Sequence, residues 1–141
     1  MKVIILGGFG FIGKSVHGIL LKNGYETFPL SRRSGLDLLD YNLTLKVFSK
    51  IKPDIIINCA TNVGSVHYVT QNAADVLSDN TQMILNIYNA VKSISKNIKI
   101  INPVANCGYP ASKNKLVEKD FFNGDIHPSV YGCLLYTSPS P

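Results

Sequence analysis

The sequence predicts an α/β chain built on a doubly wound parallel sheet, and three observations predict it. Short apolar, β-branched runs alternate with segments of helical period. The first run, Val3, Ile4, Ile5 and Leu6, leads straight into the glycine-rich turn Gly7-Gly8-Phe9-Gly10-Phe11-Ile12-Gly13. A helical pattern follows that turn with no intervening loop. Strands separated by helices pair in parallel through right-handed crossovers.

Residues 3–6 are the first strand and 11–22 the first helix, stopped by Asn23 and Gly24, a left-handed C-terminal signal. Residues 26–30 form a short second strand. A second helix is expected over 43–51, with Asn42 as its N-cap and Pro53-Asp54 closing the turn beyond it. Residues 55–57 are three isoleucines, as suits a parallel strand covered on both faces. A long helix is expected over 73–94, where Leu77, Ile84, Ile87, Val91 and Ile94 recur at helical spacing. Residues 98–101 are a fourth strand. Ligands of such sheets lie beyond the carboxyl ends of the strands, so the segments after Leu6, Leu30, Ile57 and Ile101 are the ones to search.

Composition narrows the function classes. The chain has 141 residues, which suggests one domain, and 45% of them are hydrophobic, enough to bury a core. No apolar stretch is long enough to span a bilayer, and the first residues lack a basic, apolar, small-residue leader pattern. The three cysteines, Cys59, Cys107 and Cys133, have no metal-like spacing and are odd in number. They favour neither a metal site nor a disulfide framework, and suit the reducing cytoplasm. The formal charge of +5 comes from scattered lysines. It reads as a mildly basic, solvated surface and not as a nucleic-acid face.

The glycine turn carries the sharpest chemistry. A buried strand, a tight turn without side chains and a helix start are the parts of a Rossmann-type dinucleotide-binding unit. Gly7 and Gly10 let the chain turn and let a pyrophosphate approach main-chain N–H groups. Gly13 lets the helix pack against the strand. The helix N-terminus adds unpaired donors and partial positive charge. The expected phosphate anchors are therefore Gly7, Gly10, Phe11, Ile12 and Gly13. After the second strand come Ser31, Arg32, Arg33, Ser34 and Gly35. An acidic residue there would suit the ribose hydroxyls of NAD, whereas guanidinium forks match a 2′-phosphate. Arg32 and Arg33 thus point to NADP, with NAD still open; the alternative is a basic surface turn. Asp37 and Asp40 either reach the adenine edge or cap the next helix. Ala60 and Thr61, in the small-residue segment after the third strand, let a ribose lie along the backbone. Asn80 lies beside the apolar stripe of the long helix. It either has a hydrogen-bond partner there or is a plain surface residue.

Together these residues resemble the extended short-chain dehydrogenases/reductases, the NAD-dependent epimerase/dehydratase family, and within it the GDP-L-fucose synthase branch. The resemblance runs from Met1 to about Gly132. It is carried by the glycine turn, the segment Ala60-Thr61-Asn62-Val63-Gly64-Ser65, and Asn80. Asn106-Cys107-Gly108-Tyr109-Pro110 and the run from Glu118 through Asn123-Gly124-Asp125-Ile126-His127-Pro128-Ser129 add to it. It implies NAD(P), a nucleotide-sugar substrate and a homodimer. It places Cys107 on an epimerisation acid/base cysteine. Ala105 falls where that branch has a serine, so Asn106 is the candidate hydrogen-bond donor. The branch's catalytic histidine falls beyond the last residue of this sequence, and His127 belongs to a different segment.

The family's Tyr-x-x-x-Lys pair has no match either. Cys133 and Thr137 stand at those two positions, and Tyr131 and Tyr136 have no lysine four residues on. The ending Pro139-Ser140-Pro141 cannot continue a helix. Residues 133–141 resemble translated adapter sequence. The expectation is a partial NAD(P)-binding domain over 1–132 with a non-native tail, inactive by itself and prone to associate through its unpaired sheet edge. A second reading, from the missing hydroxyl at Ala105, is a non-catalytic NADP(H)-binding regulator or scaffold of the same fold.

Overall fold

The computed structural model describes residues 1–94, 97–104, 108–110, 117–121 and 123–124. The chain falls into two compact units, residues 1–61 with 82–103 and residues 62–81 with 104–141.

The first unit is built on a four-stranded parallel sheet in the order β2-β1-β3-β4. Its strands are β1 (Lys2–Leu6), β2 (Glu26–Leu30), β3 (Ile55–Asn58) and β4 (Lys99–Ile101). Leu6 lies beside Leu30 on one side and Asn58 on the other, and Ile57 lies beside Ile101. All four carboxyl ends therefore open along one rim. At the opposite edge Asp54 gathers three strand starts. Its carboxylate accepts from Lys2 N–H (2.7 Å), and its main chain bonds to Lys2 and Lys99. Pro29 sits in β2 without breaking a ladder, because β2 is an edge strand whose N–H at that position is not needed.

Helix α1 (Phe11–Lys22) matches the expected bounds and ends at Asn23, with Gly24 at φ +76°. It packs on β1 and β2, where the Thr27 hydroxyl and His17 Nδ1 are 3.0 Å apart. Helix α2 (Tyr41–Ile51) starts two residues before the expected 43. Its N-cap is Asp40, not Asn42: the Asp40 carboxylate accepts from Leu43 N–H at 3.0 Å. Asn42 has a similar capping side chain but lies two residues too late, inside the helix. Helix α4 (Ala73–Ile94) has the expected bounds. The second unit takes its first turns and the first unit takes the rest.

The main core lies on one face of the sheet. Ile4, Leu6 and Ile56 pack there with Phe48 of α2, with Ile87, Ala90 and Val91 of α4, and with Leu36 and Leu38 of the segment before α2. The buried stripe of α4 in this unit is thus centred on Ile87, Ala90 and Val91, and Ile84 is only half-buried. Small Ala90 was not a candidate from periodicity, yet it is fully buried where the helix approaches the sheet. Strand β1 is closed on both faces, with Val3 through Leu6 all inaccessible. Strand β3 is not: Ile55 and Ile57 are half-buried, because α1 covers β1 and β2 on that face. Strand β4 is the other edge, and Ile101 on it is exposed.

In the second unit, α3 (Val66–Gln71) is a short helix that the sequence reading did not anticipate, capped by the Ser65 hydroxyl accepting from Tyr68 N–H at 3.2 Å. At six residues it is too short for its apolar period to be read. Farther along, the rings of Tyr109 and Phe121 meet edge-to-face with centroids 5.0 Å apart. Among the described residues no helix is long and apolar enough to cross a membrane.

Phe48 is the largest fully buried side chain of the core. Replacing it with alanine should cost about 3–5 kcal/mol in urea unfolding. Lys50→Ala, on the exposed side of the same helix, should stay within about 0.5 kcal/mol of the wild type.

Candidate functional site

The rim is organised by the turn between β1 and α1. Gly7 has φ +68°, in the left-handed region that only glycine enters without strain. A Cβ there would also stand 2.5 Å from the carbonyl oxygen of Cys59 and 2.8 Å from the nitrogen of Ala60. The turn therefore lies directly on the backbone leaving β3. Gly10 differs from the expectation. Its backbone is extended (φ −79°, ψ 179°), so it is not needed for a left-handed bend. Its constraint is space, since a Cβ would meet Gly7 O at 3.1 Å. Gly13 packs as expected, with a Cβ there colliding with the Gly7 carbonyl and coming within 2.7 Å of Gly8 Cα. Gly8 was not among the predicted anchors, yet a side chain on it would collide with Pro29, 2.6 Å away. Its signal was its place in the glycine run; its reason is the neighbouring strand, which sequence spacing does not reveal.

Hydrogen bonds pin the turn on both sides. Gly8 N–H donates to Leu30 O (3.1 Å), Cys59 N–H to Leu6 O (2.9 Å) and Gly10 N–H to Gly7 O (2.8 Å). The first intrahelical bond runs from Lys14 N–H to Gly10 O. Gly10 is the N-cap and has no side chain to satisfy the first turn, and that turn contains no acidic residue. The N–H groups of Phe11, Ile12 and Gly13 have no acceptor among the described residues. Phe9 through Ile12 are exposed, and Phe11 is 93% accessible. Open donors, the helix dipole and exposed Lys14 together make a positive, uncapped end that suits an anion.

After β2 the chain makes a single 3-10 turn over Arg32–Ser34. Ser31 O accepts from Ser34 N–H, and its hydroxyl accepts from Arg33 N–H (3.1 Å). The Ser34 hydroxyl bonds back to Ser31 at both N–H and C=O, and Gly35 at φ +84° ends the turn. Arg32 and Arg33 are exposed, and neither guanidinium has a partner among the described residues. A rigid turn thus holds two unengaged forks at the rim. Asp40 takes the second of the roles the sequence allowed, as the cap of α2. Asp37 folds onto its own segment, accepting from Leu39 N–H (3.0 Å).

After β3, Asn58 ties two strand ends together. Its Nδ2 donates to Asn102 Oδ1 (2.8 Å), and its Oδ1 accepts from Ala60 N–H (3.1 Å). Sequence reading assigned Asn58 no role; the signal was a polar residue closing an all-isoleucine strand. Ala60 and Thr61 follow as half-buried and exposed residues. Burial pushes the Cys59 thiol above its ordinary range, because desolvation disfavours the thiolate. Within the second unit, Asn80 has the partner expected of it. Its Oδ1 accepts from Asn62 N–H (2.7 Å), and its Nδ2 donates to Asn62 O and Val76 O (both 2.8 Å). Asn106 and Cys107 lie outside the described residues, as do Ala105, His127, Tyr131, Cys133 and the tail over 133–141.

The first unit thus brings Gly7, Gly10, Phe11, Ile12, Gly13, Arg32, Arg33, Ala60 and Thr61 to one rim of one parallel sheet. This is a Rossmann-type dinucleotide-binding fold. The chain belongs to the NAD-dependent epimerase/dehydratase family, whose profile it matches over residues 3–133. It is 30% identical over 137 residues to a GDP-L-colitose synthase from Yersinia pseudotuberculosis, covering 96% of this chain and 44% of that enzyme. It is 29% identical over 137 residues to a GDP-L-fucose synthase from Azorhizobium caulinodans, covering 95% of this chain and 43% of that one. A GDP-mannoheptose C4 reductase from Campylobacter jejuni, solved with NADP bound, superposes with a TM-score of 0.80 at 24% identity. That match covers 97% of this chain and 44% of the reductase. The chain thus spans less than half the length of these relatives.

Substitutions at two positions separate the parts of this rim. Gly7→Ala adds a left-handed strain of about 1–2 kcal/mol and a clash with Cys59, and should lower the melting temperature and abolish dinucleotide binding together. Asp40→Ala should cost about 0.5–2 kcal/mol through the lost cap while leaving dinucleotide affinity unchanged, and Asp40→Asn should restore the stability.

Proposed function

We propose that the whole protein is an NADP(H)-dependent nucleotide-sugar epimerase/reductase of the GDP-L-fucose synthase kind, acting on a GDP-linked keto sugar in the cytoplasm as a homodimer. The single observation that carries the cofactor half is the uncapped start of α1 on the glycine turn, where exposed N–H donors face no acid. A pyrophosphate fits that place, held by the N–H groups of Phe11, Ile12 and Gly13. Arg32 and Arg33 supply the 2′-phosphate clamp, and the backbone at Ala60 and Thr61 lies along the nicotinamide-side ribose. Family membership and the sugar-nucleotide enzymes among the relatives support the substrate class.

Held by these residues, NADPH would supply the hydride that reduces a sugar carbonyl. This chain's residues orient the dinucleotide, and the Asn58 link keeps the ribose-facing backbone in one conformation. Cys107 holds or moves a proton at the epimerised carbon, and Asn106 donates to a sugar oxygen in place of the hydroxyl absent at Ala105.

Calorimetric titration of NADPH and NADH into the wild type and Arg32→Ala tests the cofactor choice. Loss of a charge-assisted fork should weaken NADPH by about tenfold or more and leave NADH nearly unchanged. Equal weakening of both would remove the 2′-phosphate assignment.

A further inference from the structure

Between the arginine turn and α2, residues 36–40 run along the sheet rim without regular secondary structure. Leu36 and Leu38 enter the core, at 2% and 6% exposed, and Asp37 between them is half-buried. The segment is tied to the arginine turn by Leu36 N–H donating to Ser31 O (3.0 Å). Two of its other N–H groups are satisfied by Asp37: Leu39 donates to its carboxylate and Asp40 to its carbonyl. No acceptor among the described residues meets the N–H of Leu38.

The carbonyls of this segment are held from behind by one side chain. Asn86 of α4 is 4% exposed, and its Nδ2 donates to Leu38 O (2.8 Å) and Leu39 O (3.0 Å). Both amide hydrogens are thereby used on consecutive carbonyls. Its Oδ1 accepts from Gln82 Nε2 (2.8 Å), one turn earlier on the same helix, which fixes the amide's orientation. Asn86 sits in the helix stripe with Ile87 and Ala90, where an apolar residue would pack without desolvation cost. An amide kept there, with both its donors committed to an irregular segment, sets that segment's path.

We propose that Asn86 is a positioning residue for the adenosine half of the dinucleotide. By anchoring the backs of Leu38 and Leu39 it sets the rim edge on which the adenine lies, and through Leu36 and Ser31 it sets the bearing of Arg32 and Arg33. It touches no ligand itself. The inference rests on the dinucleotide reading above and adds a helix outside the glycine turn to its affinity. A pre-set edge binds without first being ordered, and that advantage is lost when the anchor goes.

The test splits the ligand in two. 2′,5′-ADP, reduced nicotinamide mononucleotide and NADPH are titrated into the wild type, Asn86→Asp, Gln82→Ala and Val3→Ala, with ligand-observed NMR for the weaker half. Asn86→Asp keeps the shape but sets carboxylate oxygens against two carbonyls. It should weaken 2′,5′-ADP and NADPH by about tenfold or more and leave the mononucleotide unchanged. Gln82→Ala, on an exposed position, keeps the experiment decisive if the aspartate variant does not fold, and should shift the same two ligands in the same direction by a smaller factor. Val3→Ala, buried at the far end of β1, should lower the melting temperature and leave all three affinities unchanged. Wild-type affinity of the folded Asn86 and Gln82 variants for 2′,5′-ADP overturns the proposal, and so does an equal loss on both halves. A wild type that binds neither half overturns the dinucleotide reading and this inference with it.

Discussion

The close approach of the Gly7 backbone to the carboxyl end of β3 is the constraint on which the rest depends. With no room for a Cβ between Gly7 and Cys59, the turn can lie flat on the rim only as glycine. That contact sets where α1 begins. Gly8 against Pro29 and Gly13 against the turn itself then fix its direction. The helix start is left bare, because the N-cap position is occupied by a residue with no side chain. Packing has thus removed the groups that would otherwise quench the helix N-terminus, and an anion can take their place.

A second principle runs through the loops at the strand ends. Three irregular segments are each held by an asparagine reaching them from regular structure or closing a strand. Asn58 links the ends of β3 and β4 and holds Ala60, Asn86 holds Leu38 and Leu39, and Asn80 holds both polar groups of Asn62. An amide is suited to this because it donates and accepts at once and carries no charge to desolvate. Backbone that leaves the sheet has polar groups without ladder partners, and they must be paired where they are buried. The loops are therefore ordered without being regular, which a ligand-facing rim requires.

The limits of sequence reading follow from the same physics. Helices α1 and α4 and strand β2 were legible to the residue, because period, glycine stops and β-branched runs act locally. The start of α2 was not, since Asp40 and Asn42 are chemically similar caps and the choice between them is made by where Leu36 and Leu38 must enter the core. Helix α3 was too short to show a period. Asn80 is legible because a polar residue beside an apolar stripe demands a partner. Asn86 obeys the same rule but is harder to read, because its neighbours on the stripe include small Ala90, which a hydrophobic pattern understates.

From the sequence alone came the alternation of strands and helices, the glycine turn, the pair of arginines and the resemblance to one enzyme family, because each is written in residue type and spacing. The tertiary structure alone decided which glycines are demanded by strain and which by space, which aspartate caps and which bends onto its own loop, and which asparagines hold the rim. Those outcomes depend on distances between residues far apart in the chain, such as Gly7 to Cys59, Asn58 to Asn102 and Asn86 to Leu38. Only the pairing of strands and the packing of helices on them sets those distances.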